Sequence, residues 1–169
     1  MKQKRFIVWL VLGLLLTMIA FQCIVPLLQI RIAMWEFSDS MASGIPEDLR
    51  LTIYFVDPGL LTRNPWSVED LINAEGVKVI EVTDDQLRNE WPLTDKIDTS
   101  MLQSAQQKGY LNARLYYVFK THRGKLLDVA ISDIGGHVFV NGIEVEHNSL
   151  FYEIILPFLT GEDRQMLGI

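Results

Sequence analysis

The sequence predicts an α+β protein, in which an N-terminal transmembrane helix is followed by one small mixed domain with antiparallel hairpins. Three observations lead to this class. Residues 6–28 form an apolar run without a formal charge, short alternating segments typical of strands follow it, and two of the later segments are joined by a tight turn. Because helical and strand patterns are mixed and the late strands form hairpins, the order favours α+β over a doubly wound parallel sheet.

The apolar run is FIVWLVLGLLLTMIAFQCIVPLL, twenty-three residues at positions 6–28. A helix rises about 1.5 Å per residue, so this run is long enough to cross a hydrocarbon core of about 30 Å. We predict a span over residues 6–30. Lys2, Lys4 and Arg5 precede the run, which places the N-terminus in the cytoplasm and the rest of the chain outside.

Two other interpretations of the N-terminus are a cleaved secretory signal and a lipoprotein signal. A cleaved secretory signal has an apolar core of about 7–15 residues and ends at a small-residue site, but the nearest such site is Ser40-Met41-Ala42. A lipoprotein signal would need a small residue before Cys23, where Gln22 stands. The sequence therefore favours an uncleaved anchor, with Cys23 as an ordinary apolar residue of the helix.

These features divide the chain into a basic cytoplasmic stub (1–5), a transmembrane helix (6–30), a tether (31–48) and an extracytoplasmic α+β domain (49–169). Of 15 Lys+Arg and 21 Asp+Glu, four basic groups and one acid precede residue 37, which leaves 11 basic and 20 acidic groups and a formal charge of −9. Such an acidic surface repels nucleic acid. We therefore expect no nucleic-acid partner.

The first part of the domain alternates between strand and turn signals. Residues 49–56 (LRLTIYFV) alternate apolar and polar side chains and predict a strand with one buried face. Asp57-Pro58-Gly59 ends this strand with turn chemistry. Ser67 and Asp70 have the spacing of a capping box, with Asp in place of Glu or Gln, and they predict a short helix that Gly76 ends.

The middle of the domain continues with a strand and two helical segments. Residues 77–82 (VKVIEV) predict the second strand from their β-branched content. Thr83 is a good N-cap for a helix over 84–90, which has acids in its first turn. Residues 94–107 have apolar side chains at a spacing of four, and we expect them to be helical in part.

Two hairpins are predicted next. Residues 111–120 pair with 125–132 across a turn at 121–124, and Asn141-Gly142 is a strong two-residue turn between 137–140 and 143–145. The expected buried face of the first hairpin consists of Tyr117, Phe119, Leu127, Val129 and Ile131.

The C-terminal segment 148–159 (NSLFYEIILPFL) is apolar nearly all round. A helix of this kind is buried on several sides or meets a partner. Pro157 limits its length. Thr160 is expected to cap a last turn through 161–163.

The three histidines of the chain are its candidate metal ligands of the imidazole type. His122 falls in a predicted turn and is expected to be solvated, whereas His137 and His147 flank the second hairpin. Zinc needs about four ligands in a tetrahedral arrangement, and the chain has no HExxH and no CxxC. The groups that a hairpin could bring together are His137, His147, Asp133, Glu144 and Glu146, which we interpret as surface residues at strand ends rather than as a metal site.

The sequence signals for a catalytic site are equally weak. Ser132, Asp133 and His137 could be drawn as a triad, but adjacency in sequence is not geometry. The carboxylate pairs Asp84–Asp85, Glu69–Asp70 and Glu162–Asp163 each fall in a predicted first helical turn, where acids favour the helix dipole. Phosphate-binding glycine loops and a G-x-S-x-G motif are absent from the sequence. We therefore predict no catalytic, cofactor-binding or metal-binding residue.

The function that fits these features is that of a non-enzymatic, single-pass protein of a bacterial cell envelope. Its extracytoplasmic domain would bind another envelope protein or sense an envelope component. The alternative is a membrane-tethered hydrolase acting on cell-wall material, which is supported by location alone. A third hypothesis is a small subunit whose anchor packs with other membrane helices through Gln22 and Gln29.

Overall fold

The structure is a computed structural model. It contains one small α+β domain, built from a six-stranded antiparallel sheet and short helices, which confirms the fold class predicted for this part of the chain. The residues that it describes are 13–15, 17–18, 24–25, 28–29, 31–32, 35, 37, 39, 47–60, 62–89, 102–103, 105, 109–132 and 136–169.

The sheet has the strand order β2-β1-β3-β4-β5-β6, and each neighbouring pair is antiparallel. Strands β3 to β6 follow one another as a meander, while β1 and β2 add to the other side of β3. The strands are β1 Arg50–Phe55, β2 Lys78–Val82, β3 Leu115–Thr121, β4 Gly124–Ile131, β5 Val138–Val140 and β6 Ile143–Val145.

The helices described between residues 47 and 169 are short, and three of the five follow the last strand. Pro157 lies inside a 3-10 turn, so the predicted segment 148–159 is split in two, as a proline without a backbone donor requires. The described helices are α1 Val68–Ile72, α2 Asp84–Asn89, α3 Leu150–Glu153, a 3-10 helix Leu156–Phe158 and α4 Gly161–Leu167.

The structure confirms the helix caps predicted at Ser67 and Thr160 and the predicted turn, which depend on residues close together in the chain. The Ser67–Asp70 capping box is formed at α1. A second box, between Thr160 and Asp163, begins α4, and this helix runs to Leu167 rather than ending after one turn. At the second hairpin Asn141 has φ +48° and Gly142 φ +79°, the positive values that a type I′ turn requires.

The first hairpin begins later than predicted. Strand β3 starts at Leu115 instead of residue 111, because the N–H group of Ala113 donates to the carbonyl of Trp66 at 2.8 Å and not to a strand. Of the predicted helical stretch 94–107, residues 102, 103 and 105 are described, and these three are not helical. The remainder of that stretch lies outside the described residues.

Two apolar clusters sandwich the sheet. One face carries the main core, in which the inward side chains of the strands pack against the C-terminal helices; the five side chains predicted for the hairpin all belong to it. The outer face carries a smaller cluster, in which α1 covers part of β3 and β4. The members of this smaller cluster that are buried are Val56, Leu71, Ala113, Tyr116, Val118 and Ala130.

The described residues between 13 and 39 are all helical. Within the described part of the chain, no helix combines the length and the apolar character needed to cross a bilayer. Phe37, which falls in the stretch predicted as a tether, is 2% exposed and belongs to the main core. Its ring centroid lies 5.1 Å from that of Phe119, so the end of this segment is packed against the domain.

Replacing Phe37 tests this packing. We expect Phe37→Ala to lower the free energy of unfolding by about 3 kcal/mol, because a buried phenyl ring is lost and a cavity is left behind. Trp35→Ala is the matched control, since Trp35 is 65% exposed and should lose little. Urea unfolding of the full chain in detergent micelles measures both values. Equal effects of the two substitutions would contradict the packing of Phe37.

A buried carboxylate ties β2 to α4. Asp163 Oδ1 lies 3.0 Å from Lys78 Nζ, and its other oxygen accepts from the hydroxyl of Thr160 at 2.7 Å. The Thr160 hydrogen bond, followed by Lys78, lowers the pKa of Asp163 below its ordinary value. The contact joins two residues that are 85 positions apart.

Because the folded-state pKa of Asp163 lies below its ordinary value, the ionised carboxylate adds stability above about pH 4. This stability is lost as the pH falls through the folded-state pKa. Asp163→Asn should cost about 1 kcal/mol at neutral pH, and the difference from the wild type should shrink towards about pH 2. Urea unfolding at stepped pH values measures this. The exposed neighbour substitution Glu162→Gln should leave the pH profile unchanged, and a constant difference for Asp163→Asn would refute the linkage.

Candidate functional site

A surface groove of about 730 Å³ lies where β1 begins and where β2 and β3 end. Polar and charged side chains from three strands line it together with the backbone of the turn before β1. We call it the β1 groove. Its polar lining residues are Glu47, Asp48, Arg50, Thr52, Tyr54, Glu81, Thr83 and Lys120.

Strand alternation explains why these side chains meet. In β1 the side chains of Leu51, Ile53 and Phe55 enter the main core, so those between them emerge on the outer face. Across the sheet, Arg50 lies opposite Lys120 and Thr52 lies opposite Glu81.

The opposed cations are the chemical feature of the β1 groove. Both Arg50 and Lys120 are exposed, and two like charges directly opposite each other on a sheet destabilise it slightly. An anionic group bound between them would relieve that repulsion. Glu81, opposite Thr52, places an acceptor beside them, so the groove can hold a ligand that carries both charged and hydroxyl groups.

Asp48, at the rim of the β1 groove, is hydrogen-bonded to the β3–β4 turn. Its Oδ2 atom accepts from the backbone N–H of His122 and contacts the Nδ1 atom of that ring. These hydrogen bonds lower the pKa of Asp48. A glycosidase acid needs the opposite, a carboxyl group whose pKa is raised so that it holds a proton at working pH. Asp48 is therefore suited to structure and binding, not to proton donation.

One aromatic side chain, Tyr54, lines the β1 groove among the described residues, and it packs next to Tyr116 on the same face. The Tyr54 and Tyr116 rings lie 5.9 Å apart, at a tilted angle. The Tyr116 hydroxyl donates to Asp128 at 3.2 Å, and Lys125 contacts the same carboxylate oxygen at 2.7 Å. Burial, followed by the nearby Asp128 charge, raises the pKa of Tyr116 well above its ordinary value. The hydroxyl therefore stays protonated and remains a hydrogen-bond donor.

A second polar cluster lies at the far side of the same face, across β5 and β6. His137 Nδ1 lies 2.6 Å from Glu144 Oε1. The backbone N–H of Gly109 donates to both Glu144 oxygens, at 2.9 and 3.0 Å. A Cβ atom on Gly109 would overlap the imidazole ring of His137, so the imidazole rests directly on the glycine backbone.

Ser132 does not complete a triad with this pair. Its side chain is buried, at 2% exposure. The hydroxyl accepts from the Asn112 N–H at 3.2 Å and lies 3.5 Å from the Tyr110 carbonyl. A nucleophile must be reachable and activated by a base, and this hydroxyl is instead used to hold the chain before β3. Asp133, the other residue drawn into the triad, lies outside the described residues.

From the sequence, His137 and Glu144 were predicted only as members of a larger group of possible metal ligands, and not as a pair. A stronger signal was present in the sequence, because the two-residue turn at Asn141-Gly142 sets the register that places Phe139 opposite Glu144. Residues two apart on a strand share a face. His137 and Glu144 are therefore diagonal neighbours on the outer face.

Other residues considered for metal binding are dispersed. Within the described ranges no group of three or more His, Cys, Asp or Glu side chains is arranged to hold a metal ion. The His147 ring packs 5.9 Å from that of Tyr152. The backbone N–H of Glu146 donates to the Gln103 carbonyl at 2.8 Å. His122 lies in the predicted turn and is exposed, but it is paired with Asp48.

Two of the three carboxylate pairs are explained by helix capping, as predicted. Asp70 accepts from the backbone N–H of Ser67 at 2.8 Å, and Asp163 accepts from that of Thr160 at 3.1 Å. The third pair, Asp84–Asp85, stands at the start of α2.

Arg114 is a buried cation that sequence reasoning missed. It is 4% exposed, and its Nη2 atom donates to the Leu60 carbonyl at 2.9 Å and to the Thr62 hydroxyl at 3.1 Å. The guanidinium lies 5.2 Å from the centre of the Trp66 ring. Among the described residues nothing accepts from Nε or Nη1. The side chain thus fastens the loop after β1 to the start of β3.

No family model, no curated protein and no solved structure matches this chain.

The close approach at Gly109 gives a direct test of the second cluster. Gly109→Ala should lower the free energy of unfolding by about 2 kcal/mol, because the new methyl group overlaps the His137 ring. In a His137→Ala background the same glycine substitution should cost much less. Urea unfolding of the four proteins measures this coupling.

Gly161→Ala is the matched glycine control, since no heavy atom lies within 4 Å of its Cβ position. We expect it to change stability little. A cost for Gly109→Ala that persists unchanged without the imidazole would show that His137 does not occupy this position.

Proposed function

We propose that the protein is a single-pass membrane protein of the cell envelope, with residues 6–30 in the bilayer and the α+β domain outside as a binding module. One observation carries the membrane assignment. The large apolar side chains of the helical residues between 14 and 35 lie in the open, from 48% to 65% exposed. These residues are Leu14, Leu15, Met18, Ile24, Leu28, Ile32 and Trp35.

Such a helix is unstable in water, since each exposed side chain forgoes a burial free energy of about 1.5–3 kcal/mol. Hydrocarbon supplies that burial, and a helix satisfies its backbone groups internally, as a bilayer demands. The basic residues Lys2, Lys4 and Arg5 precede the segment and favour a cytoplasmic N-terminus. Arg31 and Trp35 suit the outer interface, where a long cation and an indole ring reach the headgroups.

The domain is then held close to the bilayer surface. Trp35 is exposed whereas Phe37 is buried in the main core, and two residues of helix span only about 3 Å. A flexible tether would let the domain move away from the membrane, but this packing keeps it near the headgroups. The partner that we propose is accordingly another protein of the envelope that comes close to the membrane.

A binding role is supported over catalysis by the two polar sites. In the β1 groove, the opposed cations Arg50 and Lys120 and the hydroxyl groups of Thr52 and Tyr54 are suited to hold a polar group. The Asp48 carboxyl group is held ionised by His122, and the Ser132 hydroxyl is covered by backbone. The groove side chains are therefore suited to bind and position a ligand, and the Ser132 hydroxyl is not an activated nucleophile.

Membrane extraction tests the proposal. Full-length protein should remain in the pellet when membranes are washed with alkaline carbonate, and a tag after Ile169 should be digested by protease added to sealed cells. The paired substitutions Leu15→Arg and Met18→Arg should release much of the protein, because each central arginine costs about 3 kcal/mol in a bilayer. Leu15→Ile with Met18→Leu is the matched control. Release of the wild type by carbonate, or a protected tag, would refute the anchor or its orientation.

A further inference from the structure

The two edges of the sheet differ in the hydrogen bonds that their backbone groups make. At the β6 edge, the backbone of Gln103 bonds to that of Glu146, and Gly109 bonds to the Glu144 side chain. Strand β2 forms the opposite edge, and among the described residues it pairs with β1 alone. In an antiparallel pair, alternate residues direct their N–H and C=O groups away from the partner strand. Within the described ranges, no other backbone group bonds to residues 78–82.

A groove of about 260 Å³ runs beside β2. We call it the edge groove. None of its described lining residues belongs to β1, so it lies on the side of β2 that β1 leaves free. Its walls combine apolar and polar side chains from β2, α2 and the 3-10 helix. They are Ile80, Glu81, Val82, Gln86, Asn89, Pro157 and Phe158.

Strand β2 contains neither a proline nor a bulge, two of the features that protect a sheet edge. Its lysine, Lys78, is turned towards the main-core side, where its Nζ atom contacts Asp163. On the outer face Val79 is 48% exposed and Glu81 is exposed. On its outer face the edge therefore presents one apolar side chain and one acid to a strand placed next to it.

We propose that the β2 edge binds an extended peptide segment of a partner protein, which adds to the sheet as a seventh strand. Backbone hydrogen bonds to β2 would provide affinity, and alternate side chains in the edge groove would provide selectivity. The segment is apolar on the side that faces Ile80 and Phe158, and it carries a basic side chain opposite Glu81. The identity of the partner as a protein rests on the binding role proposed above.

Charge complementarity favours this occupant. The domain after residue 36 carries a formal charge of −9, and Glu81 has no ion-pair partner among the described residues. A basic strand is therefore attracted, whereas an acidic strand is repelled. A second copy of the chain would bring its own Glu81 to the same edge, which is less favourable.

The test uses the full chain in detergent micelles and the synthetic peptide KVTVKVTVK, labelled with a fluorophore. We expect saturable binding and slower hydrogen exchange of backbone amides in residues 78–82. Glu81→Lys should weaken binding at least about fivefold, because the attraction becomes repulsion. Glu146→Lys, an equal charge change at the opposite edge, is the matched control and should change affinity little.

Peptides with N-methyl groups distinguish strand addition from other binding. Methylation of one alternate set of amides should abolish binding, because those N–H groups face β2, and methylation of the other set should be tolerated. Equal tolerance of both sets, no saturable binding, or equal weakening by the two lysine variants would overturn the proposal. So would a dimer that forms through residues 78–82 in the absence of peptide. Membrane extraction does not depend on any of these results, so the anchor can hold while the edge proposal fails.

Discussion

The burial of both faces of β3 is the constraint on which the rest of the domain depends. Leu115, Tyr117 and Phe119 enter the main core, while Tyr116 and Val118 are covered on the outer face. A strand without a solvated face needs a layer on each side. The C-terminal helices supply one layer, fastened where the buried Tyr117 hydroxyl donates to the Phe151 carbonyl at 2.9 Å. The loop around α1 supplies the other.

Among the described residues, the outer layer covers only part of the sheet. Helix α1 and the loop held by Arg114 cover the sheet near the start of β3, but the end where β1 begins is left open as the β1 groove. The chain before β3 closes the opposite side through Gly109, His137 and Glu144.

The packing of Phe37 links the domain to the proposed membrane segment. A partner would then meet a domain that stays near the bilayer with a restricted orientation, which lowers the entropic cost of binding for a partner held in the same membrane. The β2 edge and the β1 groove are adjacent, since Glu81 and Val82 line both. One partner could therefore contact both surfaces through an extended segment and a polar group.

The sequence by itself determined the features that act over a few residues: the alternation of β1, the capping boxes at Ser67 and Thr160, the Asn141-Gly142 turn, and the mixed fold class. The strand, the caps and the turn depend on backbone conformation and on side chains a few positions apart, so a single segment contains the information, and the fold class follows from the order of these segments. Only the tertiary structure decided the Lys78–Asp163 contact, the buried positions of Phe37 and Arg114, and which strands form the edges. These depend on residues far apart in the chain, and the pairing of distant strands is set by the free energy of the whole core rather than by any local pattern.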